Sequence, residues 1–199
     1  MSSIEATLEM TYICFETLLE IFDYKYEPTK LTEKESKSKL PLFVSFHKIK
    51  ENKNTLRGCI GTFEKQKLEE GLKKYTKKAA FHDSRFKPLK KSELKNLECS
   101  VSLLTNFENA KNYLDWELGK HGIRIEFLNY HATYLPHVAP NRSWDKITTI
   151  QHLARKAGFK KDLNDNILNQ IKLEKFQASK ISSLFLDFLK AKKMDNFEF

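Results

Sequence analysis

Leu42, Val44 and Phe46 alternate with Phe43, Ser45 and His47, and this period of two predicts a strand. A second alternating run, residues 55–63, follows the polar stretch 51–54, so the two are expected to pair as an antiparallel hairpin. In that run Leu56, Gly58, Ile60 and Thr62 are predicted to share the core face, with a gap at Gly58 where another backbone comes close. Arg57, Cys59, Gly61 and Phe63 fall on the other face. Helical spacing governs the N-terminal segment: Leu8, Tyr12, Phe15, Leu19 and Phe22 predict a helix from a cap at Ser2 or Ser3 to about Asp23. A weaker stripe of Met10, Cys14, Thr17 and Ile21 predicts cover on a second side and makes Cys14 a packing residue. Leu68, Leu72, Tyr75 and Ala79 predict a helix from about Lys67 to Phe81. Ile147, Ile150, Leu153 and Ala157 predict another from Ser143 to Gly158.

Further strands are expected where Leu97, Cys99, Val101 and Leu103 alternate with polar neighbours, and where Ile123, Ile125 and Phe127 follow the turn 119–122. A turn at 129–131 leads to a short strand at 133–135, and a strand at 171–179 precedes a terminal helix from Ile181 to about Lys193. Residues 25–39, with Pro28 and five Lys, read as a mobile surface connection. Ser92 is a candidate cap for a short helical turn.

A chain of 199 residues is expected to form one domain, with or without a small lobe, and 40% hydrophobic content with 15 Phe supports a folded core. The net charge of +9 suits an anionic partner, RNA included. The lysines on the 67–81 helix (Lys73, Lys74, Lys77, Lys78) make the most continuous basic stripe, but no Arg interleaves with them and the aromatic between them, Tyr75, falls on the apolar face, so nucleic-acid binding there is expected to be weak. Cys14, Cys59 and Cys99 show no pairing pattern, which argues against a disulfide framework and for a reduced cytoplasmic or nuclear setting. His and Cys never take zinc-ligand spacing, so no structural metal is expected. No apolar run reaches 18 residues, which predicts no membrane span. Walker, Gly-x-Gly-x-x-Gly, Gly-x-Ser-x-Gly and His-Glu-x-x-His patterns are missing, and no cofactor is implied.

Candidate chemistry gathers at residues 56–61, Leu-Arg-Gly-Cys-Ile-Gly. On an ideal strand the Arg57 guanidinium and the Cys59 thiol lie about 7 Å apart, and a nearby cation favours thiolate. Gly58 and Gly61 remove bulk where a ligand can lie against the strand. The segment 82–88 breaks the helix pattern; Asp83 and Arg85 either pair to shape a loop, or Arg85 clamps an anion. His121, held between glycines, is a candidate acid/base or a turn cap. Two readings follow. One is an enzyme or enzyme subunit with Cys59 as nucleophile, Arg57 as its electrostatic partner and His121 as acid/base. The other is a binding module for a protein or small anionic ligand, with Arg57, Gly58, Gly61, Asp83 and Arg85 as contacts. The second is preferred, because a thiol with no evident base is incomplete machinery.

Residues 56–63, Asp83-Ser-Arg-Phe86 with Pro88, 99–108, Tyr113-Leu-Asp-Trp116, 121–127 and 132–136, in that order, resemble the AMMECR domain family, most closely its eukaryotic branch. The similarity runs from about residue 8 to 180. It implies an α+β domain, mainly an antiparallel sheet flanked by helices, with a smaller subdomain folded against a larger one, and an intracellular protein of undefined activity. The family's motif falls on Arg57, Gly58, Cys59 and Gly61. His137 stands where relatives more often carry an acid or amide, which makes it a poor catalytic candidate.

Overall fold

The structure, a computed structural model, describes residues 4–51, 53–194 and 196–199, so the Ser2 or Ser3 cap lies outside the described residues. Six strands, β1 (Lys39–Lys50), β2 (Lys53–Lys67), β3 (Leu97–Asn109), β4 (Gly122–Phe127), β5 (Tyr130–Tyr134) and β6 (Lys172–Leu184), are hydrogen-bonded in the order β2-β1-β3-β6-β4-β5. With the helices α1 (Leu8–Ile21), α2 (Glu33–Ser36), α3 (Leu68–Phe81), α4 (Lys146–Lys156), α5 (Asp165–Leu168) and α6 (Phe185–Ala191) they make an α+β fold on an antiparallel sheet. The chain divides into two compact units, residues 1–103 with 179–199, and the smaller 104–178.

In the first unit one sheet face is apolar. Leu42, Val44 and Phe46 of β1 and Cys99, Val101 and Leu103 of β3 are fully buried with Phe15 and Leu18 of α1, Leu72 of α3 and Phe188 of α6. Each such side chain contributes about 1.5–3 kcal/mol by leaving water. Both stripes of α1 are used: Phe15 and Leu19 are buried, and so are Met10, Cys14 and Thr17. The helix starts at Leu8, the first residue of its hydrophobic pattern and later than a cap at Ser2 or Ser3 would place it, because Thr7 is extended and takes the cap position. Cys14 and Cys99 share a hydrogen bond inside this core.

The connection 25–39 is anchored at Thr29. Buried Glu16 accepts from the Thr29 amide at 2.9 Å and hydroxyl at 2.5 Å and pairs with Lys192 at 2.7 Å. Beyond it, the N-terminus of α2 is closed by a reciprocal cap that the Thr-x-x-Glu spacing encodes: the Thr32 hydroxyl accepts from the Glu35 amide, and the Glu35 carboxylate accepts from the Thr32 amide.

In the second unit Ile123, Ile125 and Phe127 of β4 pack with Leu173 of β6, Ile150, Leu153 and Ala154 of α4, and the buried Trp116 and Phe159. Three boundaries differ from the sequence pattern. The turn before β5 is at 128–129, so Tyr130 and His131 already pair with Phe127 and Glu126. Ser143 has φ +53° and cannot cap a helix; Asp145 is extended and accepts from the Thr148 amide, starting α4 there. Finally, β6 runs on to Leu184, where Ser100 and Ser182 join by a 2.7 Å hydrogen bond, and this delays α6 to Phe185.

Candidate functional site

The β1–β2 pairing contains the feature that shapes the site. Lys48 faces Thr55 and His47 faces Leu56, but Phe46 faces Gly58, which leaves Arg57 as an extra, unpaired residue. A bulge of this kind shifts every later side chain by one place relative to the partner strand. Leu56 therefore lies beside His47, on the face opposite Gly58, and is 39% exposed instead of joining the core. Gly58 and Ile60 keep the core side, opposite Phe46 and Val44. At Gly58 the expected close approach is real: a Cβ there would lie 2.1 Å from the Ala79 carbonyl oxygen of α3.

Cys59 pairs with Ser45 on the outer face, and the two side chains are hydrogen-bonded. The same face carries His47, and across β3 it continues through Glu98 and Ser100. Gly61 sits opposite Phe43, and a Cβ on it would come within 2.2 Å of the Phe43 ring. Its missing side chain makes room for that ring, a cross-strand aromatic over a glycine.

The loop after α3 closes the edge of β2. The Cys59 amide donates to Asp83 Oδ2 at 2.9 Å, and Arg85 Nη2 donates to the Cys59 carbonyl at 3.2 Å. Asp83 also takes both Arg85 Nε, at 2.9 Å, and Arg85 Nη2, at 2.7 Å. An edge strand that exposes its amide and carbonyl invites pairing with another chain, and here an aspartate–arginine pair occupies both groups. Asp83 is buried, and the Arg85 guanidinium beside it holds its carboxyl well below the usual carboxylate range.

Arg57 is also committed, but to a different partner. Its Nε and Nη2 reach the two Glu93 oxygens at 2.9 and 3.0 Å, and Nη2 also donates to the Lys87 carbonyl at 2.9 Å. Only 12% of its side chain is exposed. Glu93 is held to a pKa of about 2, chiefly by the hydrogen bonds from Arg57 and further by the Lys90 amide. Arg57 Nη1 is buried and makes no hydrogen bond within the protein. The Phe86 ring has the Arg57 and Arg85 guanidinium carbons 6.0 and 5.4 Å from its centre.

The cationic neighbours of the Cys59 thiol are therefore Arg85 and Lys180. Burial pushes this thiol up; Arg85, the Ser45 hydrogen bond and Lys180 pull it down, and Asp83 adds to the rise. The balance leaves it above an ordinary thiol, the reverse of an activated nucleophile. Arg57, Gly58, Cys59, Gly61, Asp83 and Arg85 thus meet in the first unit. His121 belongs to the second, where its Nδ1 accepts from the Glu117 amide at 2.9 Å and burial lowers its pKa. Among the described residues no group of three His, Cys, Asp or Glu side chains is placed to hold a metal ion, and no helix is long and apolar enough to cross a membrane.

Sequence reasoning missed Glu93, Ser45 and Lys180. Ser45 was within reach, because hairpin pairing across the 51–54 turn puts it near Cys59 to within one residue. Glu93 and Lys180 come from distant parts of the chain, and no local pattern marks them.

The AMMECR1 family profile matches residues 11–181. The chain belongs to the AMMECR1 family. It is 39% identical over 193 residues to an uncharacterized protein of Arabidopsis thaliana, covering 94% of this chain and 89% of that one. A Schizosaccharomyces pombe uncharacterized protein is 41% identical over 155 residues, 76% of this chain and 80% of its own length. In fold the chain is similar to the crystal structure of an uncharacterized protein from Pyrococcus horikoshii, with a TM-score of 0.69, 27% identity and 88% and 89% of the two chains covered. All three of these proteins are described as uncharacterized.

Proposed function

We infer that this AMMECR1-family protein is a binding module that takes a small anionic ligand on the sheet face beside Cys59. The observation that carries the reading is Arg85. Asp83 and the Cys59 carbonyl fix its guanidinium in place, yet 54% of its side chain stays open to solvent. A pre-placed, exposed guanidinium binds an anion without first losing rotamer freedom. Lys180 adds a second cation near the thiol, and the hydroxyl of Ser45 supplies a neutral donor on the same face. Cys59 then serves as a small polarisable contact, consistent with a thiol kept protonated by burial.

Native mass spectrometry of gently purified protein tests this reading. A co-purified small anion is expected in the wild type and lost in Arg85→Ala. The same sample distinguishes the nucleophile reading through its thiols, with buried Cys14 and Cys99 as internal controls. Iodoacetamide is expected to modify Cys59 slowly below pH 8. A Cys59 rate faster than that of a free thiol, and already high at pH 7, would replace the binding reading with covalent chemistry.

A further inference from the structure

The second unit holds an aromatic and basic cluster at the margin of its core. Trp144 and His152 stack face to face, with centroids 4.0 Å apart and planes 4° from parallel. Arg142 lies over the same indole, its guanidinium carbon 5.1 Å from the ring centre. Tyr134 stands 6.0 Å from Trp144, with the Lys156 ammonium 4.7 Å above its own ring. The cluster is only half-buried, unlike Trp116, which is 3% exposed in the core of the same unit.

Three local devices hold it in place. The left-handed Ser143, at φ +53°, turns the chain after the short 3₁₀ helix Pro140–Arg142, and the Trp144 amide then donates to the Ala139 carbonyl. Lys156 is anchored by a 2.8 Å hydrogen bond to the Thr133 carbonyl. His152, Arg155 and Lys156 share one face of α4 by their three- and four-residue spacing.

Charge separates this surface from the Lys-rich face of α3. On α3, Lys73 pairs with Glu69 at 2.7 Å, and Lys67 just before it pairs with Glu70 at 3.0 Å. Residues 130–161 instead contain six Lys and Arg and a single carboxylate, Asp145, which is turned onto the α4 N-terminus. Aromatic planes interleaved with uncompensated cations are what a flexible polyanion of planar bases recognises, through stacking and phosphate contact together. Arginine planes and aromatic rings are the usual platform for the splayed bases of unpaired RNA.

We propose that the Tyr134–Arg142–Trp144–His152–Lys156 face is a binding site for single-stranded RNA. A base stacks on the Trp144–His152 column, and Arg142 moves from the indole to a flanking phosphate. Arg155 and Lys156 follow the backbone along α4. This site is independent of the Cys59 face, and either can fail without the other.

The test is fluorescence anisotropy of a labelled 12-nucleotide single-stranded RNA with the full chain at 50 and 200 mM salt. Trp144→Ala is expected to weaken binding about tenfold or more, and Trp144→Phe to restore most of it. Quenching of Trp144 emission on binding, in a protein whose other indole is buried, reports the stack directly. Arg142→Ala is expected to weaken binding and to reduce its salt dependence. An unchanged near-UV spectrum from Trp116 shows that the variants are folded. The proposal is overturned if the wild type fails to bind at 50 mM salt, or if Trp144→Ala binds as well as the wild type. Equal affinity for heparin would reduce the surface to a charged patch. Tighter binding of poly-glutamate would assign it to a protein partner, and tighter binding of DNA of the same sequence would reject RNA.

Discussion

Arginines at the β2 edge and arginines on the α4 side of the second unit have opposite fates. At the edge, Arg57 is locked to Glu93 and the Lys87 carbonyl, and Arg85 to Asp83 and the Cys59 carbonyl. In the second unit Arg142 lies on an indole, among cations that outnumber carboxylates six to one between residues 130 and 161. Residue type does not tell these apart; the partner does. A guanidinium held by a carboxylate is fixed in place, buried at Arg57 and still open at Arg85, whereas Arg142, lying over an indole, stays exchangeable.

Gly58→Val tests the rigid half of that contrast most severely. Overpacking typically costs about 1–3 kcal/mol, and here the obstacle is backbone, the Ala79 carbonyl 2.1 Å from the new Cβ. A loss at or above the top of that range is expected in urea denaturation, while Cys59→Ser on the opposite face is expected to cost less than about 1 kcal/mol. Equal losses from the two would show that Cys59 is a packed core residue and would remove it from any binding face.

Arg57→Ala and Arg142→Ala sharpen the comparison by changing the same side chain in both regions. Removing Arg57 strands the largely buried Glu93 and is expected to cost about 3 kcal/mol. Removing exposed Arg142 is expected to change stability by no more than about 0.5 kcal/mol. Similar losses at the two positions would end the distinction between a scaffold arginine and an available one.

The smallest effect is acid lability. Glu93 is lowered from 4.5 to about 2 in the folded protein, so its contribution is complete above pH 4.5 and disappears as pH falls toward 2. Between pH 6 and pH 3 it is expected to account for about 2 kcal/mol of lost stability. In Glu93→Gln that part of the pH dependence is expected to vanish, leaving a shallower slope in denaturation measured across the range. An unchanged slope would place the acid-sensitive pair elsewhere, with Asp83 as the next candidate.

Much of the fold follows from local pattern. The alternation 42–47, the apolar faces of α1 and α3, and the strand at 97–103 need only the periods of strand and helix, since one face must leave water. The gap at Gly58 was equally legible, because a glycine between two core-facing positions implies a close neighbour. The motif itself marked Cys59, Arg57, Asp83 and Arg85 as unusual, and the family resemblance rested on the same residues.

Tertiary structure decided what those residues do. One unpaired residue at Arg57 moved Leu56 from the core to the outer face and aimed Arg57 along the strand edge, and alternation alone assumes that no such residue exists. The choice of Arg85 over Arg57 as the neighbour of Cys59 depended on Glu93, 36 residues downstream, capturing Arg57 first. The Trp144–His152 stack joins residues eight apart, with Trp144 brought to the start of α4 by a left-handed turn at Ser143, a conformation uncommon outside glycine. Periodicity reports which side of an element faces inward. It carries no information on which distant charge or ring arrives at the other side, because that pairing is set by chain topology.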